Sequence, residues 1–452
     1  MSVNKLLDIT SKSLLSYQRA LDVTAHNISN VNSEHYSRQR VLFSTERPDK
    51  IGNLSIGSGV KIDDVERVKN QILDLQLTKY NQDYAYSSER ASILKNLETL
   101  YAEPSELGLS TLINKFFDSW DKLSVDPTSI PLRNDIVNSA QKLSQQLYNI
   151  QSGYDKVKSD IKSQAQDTVS LINSYTKQLY EINKEIYTSG AVGRGTNDLL
   201  DERDKIIQQL SELVNVNVNY GEEGTANVSI GGSFAVDRKV YTTYVLNEEN
   251  GKLVMRPDAE SGAVSLQGGK LKAYSDIFGK IIPDHKAKLD TIAQTIMNEV
   301  NAVHKTGYSI HSTPQTGIDF FSSYQNGNLK INSDILNDVK MIAVSADGTN
   351  GNNEIALQLS AIKSKQLING LTISQKYSQD VSEMGNDIKA YEDSAAAVDL
   401  VVQKLKQQKA EYSGVSVDEE MVNVIKFQRS YNAAAKLIQV ADQVFQTLID
   451  MA

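Results

Sequence analysis

Two helical seams, one at each extreme of the chain, constrain this sequence more than anything between them. From Ser416 to Ala452 there is no Gly and no Pro, and Val424, Phe427, Tyr431, Ala434, Ile438, Ala441, Phe445 and Leu448 follow in alternating steps of three and four. That is an unbroken a/d seam, the pattern of a helix that packs along a partner helix. Ser416 and Glu419 have capping-box spacing, the hydroxyl taking an orphan amide while the carboxylate reaches back, and Gly414 allows a sharp turn before them. Such a helix runs about 50 Å at ~1.5 Å per residue. No local globular sequence lies beside it to receive the seam.

The opposite end supplies a partner. Val3, Leu7, Thr10, Leu14, Tyr17, Leu21, Thr24 and Ile28 make the same alternation, and the first Gly or Pro is Pro48. Residues 1–40 carry Lys5, Lys12, Arg19, Arg38 and Arg40 against Asp8, Asp22 and Glu34, a balance of +2. Residues 415–452 carry Lys426, Arg429 and Lys436 against Asp418, Glu419, Glu420, Asp442 and Asp450, a balance of −2. Two complementary seams point to one terminal coiled coil with everything else inserted between. The plainer reading is two helices of an ordinary core, but core helices seldom occupy both extreme ends with seams this regular.

Composition narrows the function classes. At 452 residues the chain has room for two to four domains, and its 40% hydrophobic and 23% charged residues are those of a folded protein. A net charge of −9 with no basic stretch argues against nucleic acid as a partner. The absence of cysteine excludes disulfides, thiol catalysis and zinc–cysteine sites, and fits a protein that works outside the cell or passes unfolded through a secretion channel. No apolar run approaches the ~20 residues of a membrane span, so no membrane partner is expected. The N-terminus lacks the apolar core of a cleavable signal peptide, so any export does not use the general secretory route.

Between the seams the pattern is mostly helical. Residues 41–62, with Gly52, Gly57 and Gly59, read as an extended connector, and Val65–Leu100 as a helix whose polar, Tyr-rich middle is solvated or faces another subunit. Leu109–Leu123 is a short helix anchored by Phe116, Phe117 and Trp120, and Pro127 and Pro131 bracket a turn. Arg133–Tyr187 is long and helical, residues 374–412 carry another strict seam, and Asp284–Val303 adds a further helix. In 214–266, Val214, Val216, Val218 and Tyr220 alternate with Asn, and 305–350 offers weaker strand candidates at Leu329, Ile331 and Met341–Val344. The expected fold is mainly α with a smaller β-rich insertion: an elongated multi-domain rod, terminal coiled coil plus long helical bundle. The expected domains are 1–40 with 412–452 (axial coiled coil), 41–213 with 267–304 and 351–411 (helical bundle), and 214–266 with 305–350 (β-rich outer domain).

Candidate chemistry is sparse. Asn197-Asp-Leu-Leu-Asp-Glu-Arg-Asp204 is the most acidic cluster. A metal reading needs Asp198, Asp201 and Asp204 to converge with water and a phosphate. A helix start accounts for it better, with Asn197 as N-cap, acids favoured by the macrodipole, and Asp201 paired with Lys205. Gly190-Ala-Val-Gly-Arg-Gly-Thr196 lacks the Lys-Ser/Thr ending and the preceding strand of a phosphate loop. His26, His35, His285, His304 and His311 are scattered and form no His-Glu-x-x-His motif, with His304 and His311 read as loop residues. No Gly-x-Ser-x-Gly elbow is present. No catalytic, cofactor-binding or metal-ligating residue is expected, and no enzyme activity.

Residues 27–40 read Asn-Ile-Ser-Asn-Val-Asn-Ser-Glu-His-Tyr-Ser-Arg-Gln-Arg, a turn-rich stretch after the first helix. It resembles the N-terminal signature of the flagellar rod, hook and hook-associated proteins, matching at Asn27, Ile28, Asn30, Asn32 and Tyr36. It departs at Ser33-Glu34-His35, where that family usually has Thr-Pro-Gly. The acidic helix start at 197–204, residues 289–307, Asp319-Phe-Phe321 and residues 414–431 resemble the hook-associated branch, in the expected order along nearly the whole chain. The chain is short for that branch, and the resemblance therefore implies a missing outer domain.

The resemblance implies an extracellular structural subunit forming a short helical ring at the hook–filament junction, with paired terminal helices at its axis. It further implies export by the flagellar type III system. The implied partners are other copies of the chain, the hook protein, a second junction protein, and an export chaperone on the C-terminal helix. The residues expected to carry assembly are Leu7, Leu14, Tyr17, Leu21 and Ile28 against Val424, Phe427, Tyr431, Ile438, Phe445 and Leu448, with the signature residues Asn27, Asn30, Asn32 and Tyr36. A hook or distal-rod protein is the alternative within the structural class, and an enzyme carried in the β insert is the alternative from another.

Overall fold

A computed structural model describes residues 3–51, 54–101, 103, 105–192, 195–258 and 261–451. Gly52 of the expected connector, Gly193 and Arg194 of the glycine-rich loop, and Ala452 lie outside the described residues, as does the side chain of Val3. The chain opens with helix α1 (Val3–Ser29) and four strands, β1 (Gln39–Thr45), β2 (Asp49–Ile51), β3 (Leu54–Ile56) and β4 (Val60–Arg67). Helices α2 (Gln71–Glu98), α3 (Leu109–Val125), α4 (Ile130–Ala191) and α5 (Asn197–Leu213) follow. Next come β5 (Val216–Tyr220), β6 (Ala226–Ile230), β7 (Ser233–Val236), β8 (Val245–Glu249) and β9 (Lys252–Arg256). After α6 (Lys270–Asp276) and α7 (Ile282–His304) stand β10 (Phe321–Gln325), β11 (Asn328–Ile331), α8 (Ser333–Asn337) and α9 (Glu354–Ala361). The chain closes with α10 (Ile373–Ser413) and α11 (Val417–Asp450). The fold is mainly α with a few small sheets.

The chain divides into two compact units, each taking part of α2, α4 and α10. The first comprises Met1–Asp83, Leu171–Thr243 and Val398–Ala452. In it α1 and α11 pair, and β1 pairs antiparallel with β4 from Gln39↔Arg67 to Thr45↔Val60 with an irregularity at Leu42/Phe43. The residues expected to form a connector are therefore hairpins. The helix expected over Val65–Leu100 begins only at Gln71, because Val65–Arg67 are held in the β1–β4 ladder. Strands β5, β6 and β7 form one antiparallel sheet. Asn183 of α4 pins its central strand, donating Nδ2–H to Ala226 O (2.7 Å) and accepting Ala226 N–H (2.8 Å). Leu77, Val402 and Leu405 form a buried cluster where α2 meets α10.

The second unit comprises Tyr84–Ser170 and Tyr244–Ala397. Its core gathers Phe116, Phe117 and Trp120 of α3 with Phe320, Phe321 and His304, all buried, in edge and tilted ring contacts. Tilted and edge contacts of this kind suit the ring quadrupoles. Along α4, Leu143, Leu147, Ile150, Tyr154 and Ile161 are buried and Val157 is half-buried. The hairpins β8–β9 and β10–β11 turn through Asn250-Gly251 and Asn326-Gly327, all with positive φ, the backbone that two-residue hairpins demand. Gly327 has a second reason, since a Cβ there would lie 2.7 Å from the Gln151 side chain. Met341–Val344 is not a strand: Val339–Met341 is a 3-10 turn, and the extended backbone beyond it forms an isolated bridge at Tyr308–Ser345 while Ile342 O and Ala343 N–H bond the Arg133 and His304 side chains. Strands β5–β7 thus belong to the first unit and β8–β11 to the second.

Candidate assembly site

The two chain ends meet as an antiparallel helix pair. Asn27, near the end of α1, bonds Glu420 at the start of α11, and Phe43 of β1 makes tilted ring contacts with both Tyr17 and Phe427, at centroid distances of 6.0 and 5.9 Å. Small residues fill the contact: Ala20, Ala434 and Ala441 are buried, as are Thr10 and Thr24. The threonine hydroxyls bond carbonyls one turn back, at Leu6 and Ala20, which lets a polar side chain be buried without an orphan group. Leu7, Leu14, Tyr17, Leu21 and Ile28 are half-buried, and so are Val424, Phe427, Tyr431 and Ile438.

Phe445 and Leu448 stand apart, 46% and 53% exposed. The expected seam continued through them, but α11 has 34 residues and α1 has 27, and the pair is in register at Asn27–Glu420. Its last two turns therefore run past the start of α1. Another apolar line, Val422, Ile425, Leu437, Val440 and Val444, is exposed on α11.

A polar node fixes the register of the pair. Asn27 is buried and every bonding position of its amide is used. Nδ2 donates to Gln39 O (2.8 Å) and Glu420 Oε2 (3.3 Å), while Oδ1 accepts Gln39 N–H (2.9 Å) and Tyr36 O–H (2.7 Å). Tyr36 has one proton and gives it to Asn27, so His26 Nδ1, 3.1 Å from the phenol oxygen, is the donor of that contact. Burial raises the Tyr36 phenol, with the charges of Asp198, Asp201 and Glu420 adding to it. Arg38 grips the start of α11, donating Nε–H to Glu420 and Nη1–H to Glu419, each at 2.7 Å, and its amide bonds Ser413 O. Asn30 bonds the His26 carbonyl at the end of α1, while Asn32 is exposed.

The ends of α11's first turn differ in part from the capping-box expectation. Ser416 accepts the Glu419 amide, but the Glu419 carboxylate goes to Arg38 instead of back to Ser416. Gly414 allows a close approach, since a Cβ there would collide with the Ala410 carbonyl.

The acidic motif belongs to the same node. Asn197 does not cap α5; Thr196 precedes the helix without a side-chain bond, and Asn197 donates to Val65 O. Asp201 does not pair with Lys205, which reaches Glu202. Asp201 instead accepts Arg67 Nη1–H (2.6 Å) and the Ser37 amide (3.1 Å). Asp204 meets Arg67 (3.0 Å), Lys69 (2.5 Å) and Arg203 (2.5 Å), and Asp74 meets Lys69 (3.2 Å) and Lys409 (2.9 Å). Tyr220 lies under Lys69 and Arg203. Burial alone would raise the Asp204 carboxyl, but Arg203, Lys69 and Arg67 overcome it and hold it below the usual range. Burial does raise Asp201, against the pull of Arg67 and the Ser37 amide.

The cations of this node went unread in the sequence because Arg67 and Lys69 stood in a window taken as helix. Arg67 ends β4 and Lys69 stands two residues beyond it, both meeting the carboxylates that Asp201 and Asp204 present from one face of α5. The expected loop histidine His304 is the last residue of α7, buried, with Nδ1 on Ile318 O (2.7 Å) and Nε2 accepting Ala343 N–H (2.9 Å).

Paired chain ends, bound into one node by residues up to 393 positions apart, define a helical protein whose two termini are joined to each other. The model of the flagellar hook-associated protein FlgK helical domain matches residues 94–321, just over half of the chain, and this chain belongs to that family. The model of the flagellar basal body rod FlgEFG protein C-terminal matches residues 406–451. Flagellar hook-associated protein 1 of Bacillus subtilis (strain 168) is 27% identical, over 98% of this chain and 97% of the relative. The protein of that name from Escherichia coli (strain K12) is 21% identical, over 99% and 100%, in an alignment of 550 positions. That alignment is longer than this chain, so the relative carries insertions that this chain lacks. The fold matches the flagellar hook junction protein FlgK from Burkholderia pseudomallei with a TM-score of 0.64 at 15% identity, over 75% of this chain and 100% of that one.

Proposed function

We propose that this chain is a structural subunit of the bacterial flagellum standing at the junction between hook and filament. It assembles through its paired N- and C-terminal helices, with residues 1–40 and 412–452 as the axial domain. The observation that carries the reading is the α1–α11 pair, locked at Asn27, Arg38 and Glu420, with the end of α11 and a further apolar line left uncovered. An apolar helix face costs free energy in water until a partner covers it. Other copies of the chain, the hook protein and a second junction protein are the partners proposed in the assembly, and an export chaperone takes the α11 face before it. Export runs through the flagellar type III system, and the working location is extracellular. Among the described residues no helix is long and apolar enough to cross a membrane.

A deletion strain tests this. Cell-proximal parts are built without the junction, whereas flagellin needs a matching subunit surface on which to start. Electron microscopy should find completed hooks without filaments, and an immunoblot should find flagellin in the medium. Unfinished hooks would point to a hook or rod protein, and filaments of normal length would refute the junction reading.

A further inference from the structure

A cleft of about 430 Å³ opens where β1 passes between α1 and the start of α11. Val41, Phe43 and Phe427 give it apolar walls. The irregularity of the β1–β4 ladder at Leu42/Phe43 re-aims the Phe43 ring, which touches both Tyr17 and Phe427 and is still 37% exposed. Arg38, Arg40 and Lys426 line the cleft against a single acid, Glu420. Glu420 is 1% exposed and already held by Arg38 and Asn27, so its charge is spent. Arg40, which reaches Glu66 across the ladder, and Lys426, beside the Phe427 ring, stand exposed on the rim. The cleft is therefore apolar with a cationic edge.

The end of α11 has the opposite character. Beyond Lys436 there is no Lys, Arg or His, while Asp442 and Asp450 are exposed. Phe445 and Leu448 run past the start of α1 with nothing in the subunit to cover them. The negative end of the helix dipole adds to the two acids. Phe427 and Phe445 stand about five turns apart on one helix, about 27 Å at ~1.5 Å per residue, so no copy can fill its own cleft with its own end.

We propose that the end of α11 docks in this cleft on a second copy of the chain. Phe445 and Leu448 lie against Phe43 and Phe427, and Asp442 and Asp450 bring their charge to the side of Lys426 and Arg40. Opposite ends of the same helix pair meet, so each contact leaves one cleft and one helix end open. Such a heterologous contact propagates along a helical row or closes into a ring. The inference rests on the reading that the chain assembles through its terminal helices, and adds which two surfaces meet.

Photo-cross-linking of the full-length subunit tests the contact. p-Benzoylphenylalanine at position 445 keeps an aromatic ring there, and an isotopically heavy copy acts as receiver, so a product joining light and heavy peptides is between subunits. With both copies raised to millimolar concentration and purified hook protein present as a competitor, mass spectrometry should place the link in residues 40–45 or 420–428 of the heavy copy. Lys426→Glu in the receiver should lower the yield at least fivefold. Lys436→Glu, an equal charge change on the same helix outside the cleft, should leave it within twofold. Absence of a link, a link only to hook protein, or a link to residues 437–451 of the heavy copy would overturn the proposal. So would equal effects of the two charge reversals. The deletion phenotype is read separately: hooks without filaments, together with no link to the cleft, would remove the docking and leave the junction reading standing.

Discussion

Arg133 is fully buried at the start of α4, and its guanidinium bonds backbone carbonyls, Ile342 O at 2.6 Å and Pro127 O at 2.7 Å. Burial pushes its pKa down to about 10, partly opposed by Asp338. Arg133→Met fills similar space but leaves both carbonyls unpaired, which costs about 1–3 kcal/mol each. We expect the urea midpoint to fall, read from the fluorescence of Trp120, the one tryptophan of the chain and a residue of the same unit. An unchanged midpoint would mean water satisfies those carbonyls. His304 makes the opposite kind of statement. Burial lowers its pKa from 6.5 to about 4 against the opposing Nδ1 bond to Ile318 O, and the neutral ring accepts Ala343 N–H at Nε2, which a charged ring cannot do. A depressed folded pKa gives stability that is fully present above the unfolded value and is lost as pH falls from ~6.5 toward ~4. The loss should total about 3 kcal/mol at ~1.36 kcal/mol per unit. His304→Gln should be less stable at pH 7 and lack that part of the slope; a parallel pH profile would contradict the assignment.

At the scale of the element, α11 carries two kinds of apolar position. Tyr431 and Ile438 pack against α1 within the subunit, while Phe445 and Leu448 lie beyond it. Phe445→Asp should therefore leave monomer stability within about 0.5 kcal/mol, as exposed substitutions do, yet abolish assembly. Ile438→Asp buries a charge without a partner and should release the helix pair itself. Urea unfolding with sedimentation at assembling concentrations separates the two. A Phe445→Asp variant that assembles normally would remove that residue from the interface.

At the scale of the whole chain, the node and the core differ in how they are held. Along α4, Leu143, Leu147 and Ile150 are fully buried, whereas the α1–α11 pair has half-buried residues and one dense node at Glu420, itself 1% exposed. Local opening follows burial. Amide protection in the monomer should decline along α11 from Glu420 toward Leu448 and stay below that of residues 143–161 throughout. Uniform, core-like protection to Leu448 would contradict this.

The helical seams were legible in the sequence because a 3.6-residue period shows wherever one face is buried, and α3, α4, α7, α10 and α11 begin and end near their expected limits. The signature residues Asn27 and Tyr36 were visible too, but what they touch was not. Only the tertiary structure joined Asn27 to Glu420, Ser37 to Asp201 and Arg67 to Asp204, across 393, 164 and 137 positions. The same held for Val65–Arg67, whose helical spacing yielded to a ladder with β1, and for Asp201, whose near neighbour Lys205 lost to a buried guanidinium. In each case a local preference worth a few tenths of a kcal/mol met a buried partner whose loss would leave a charge or an amide unsatisfied, and the larger penalty decided the fold.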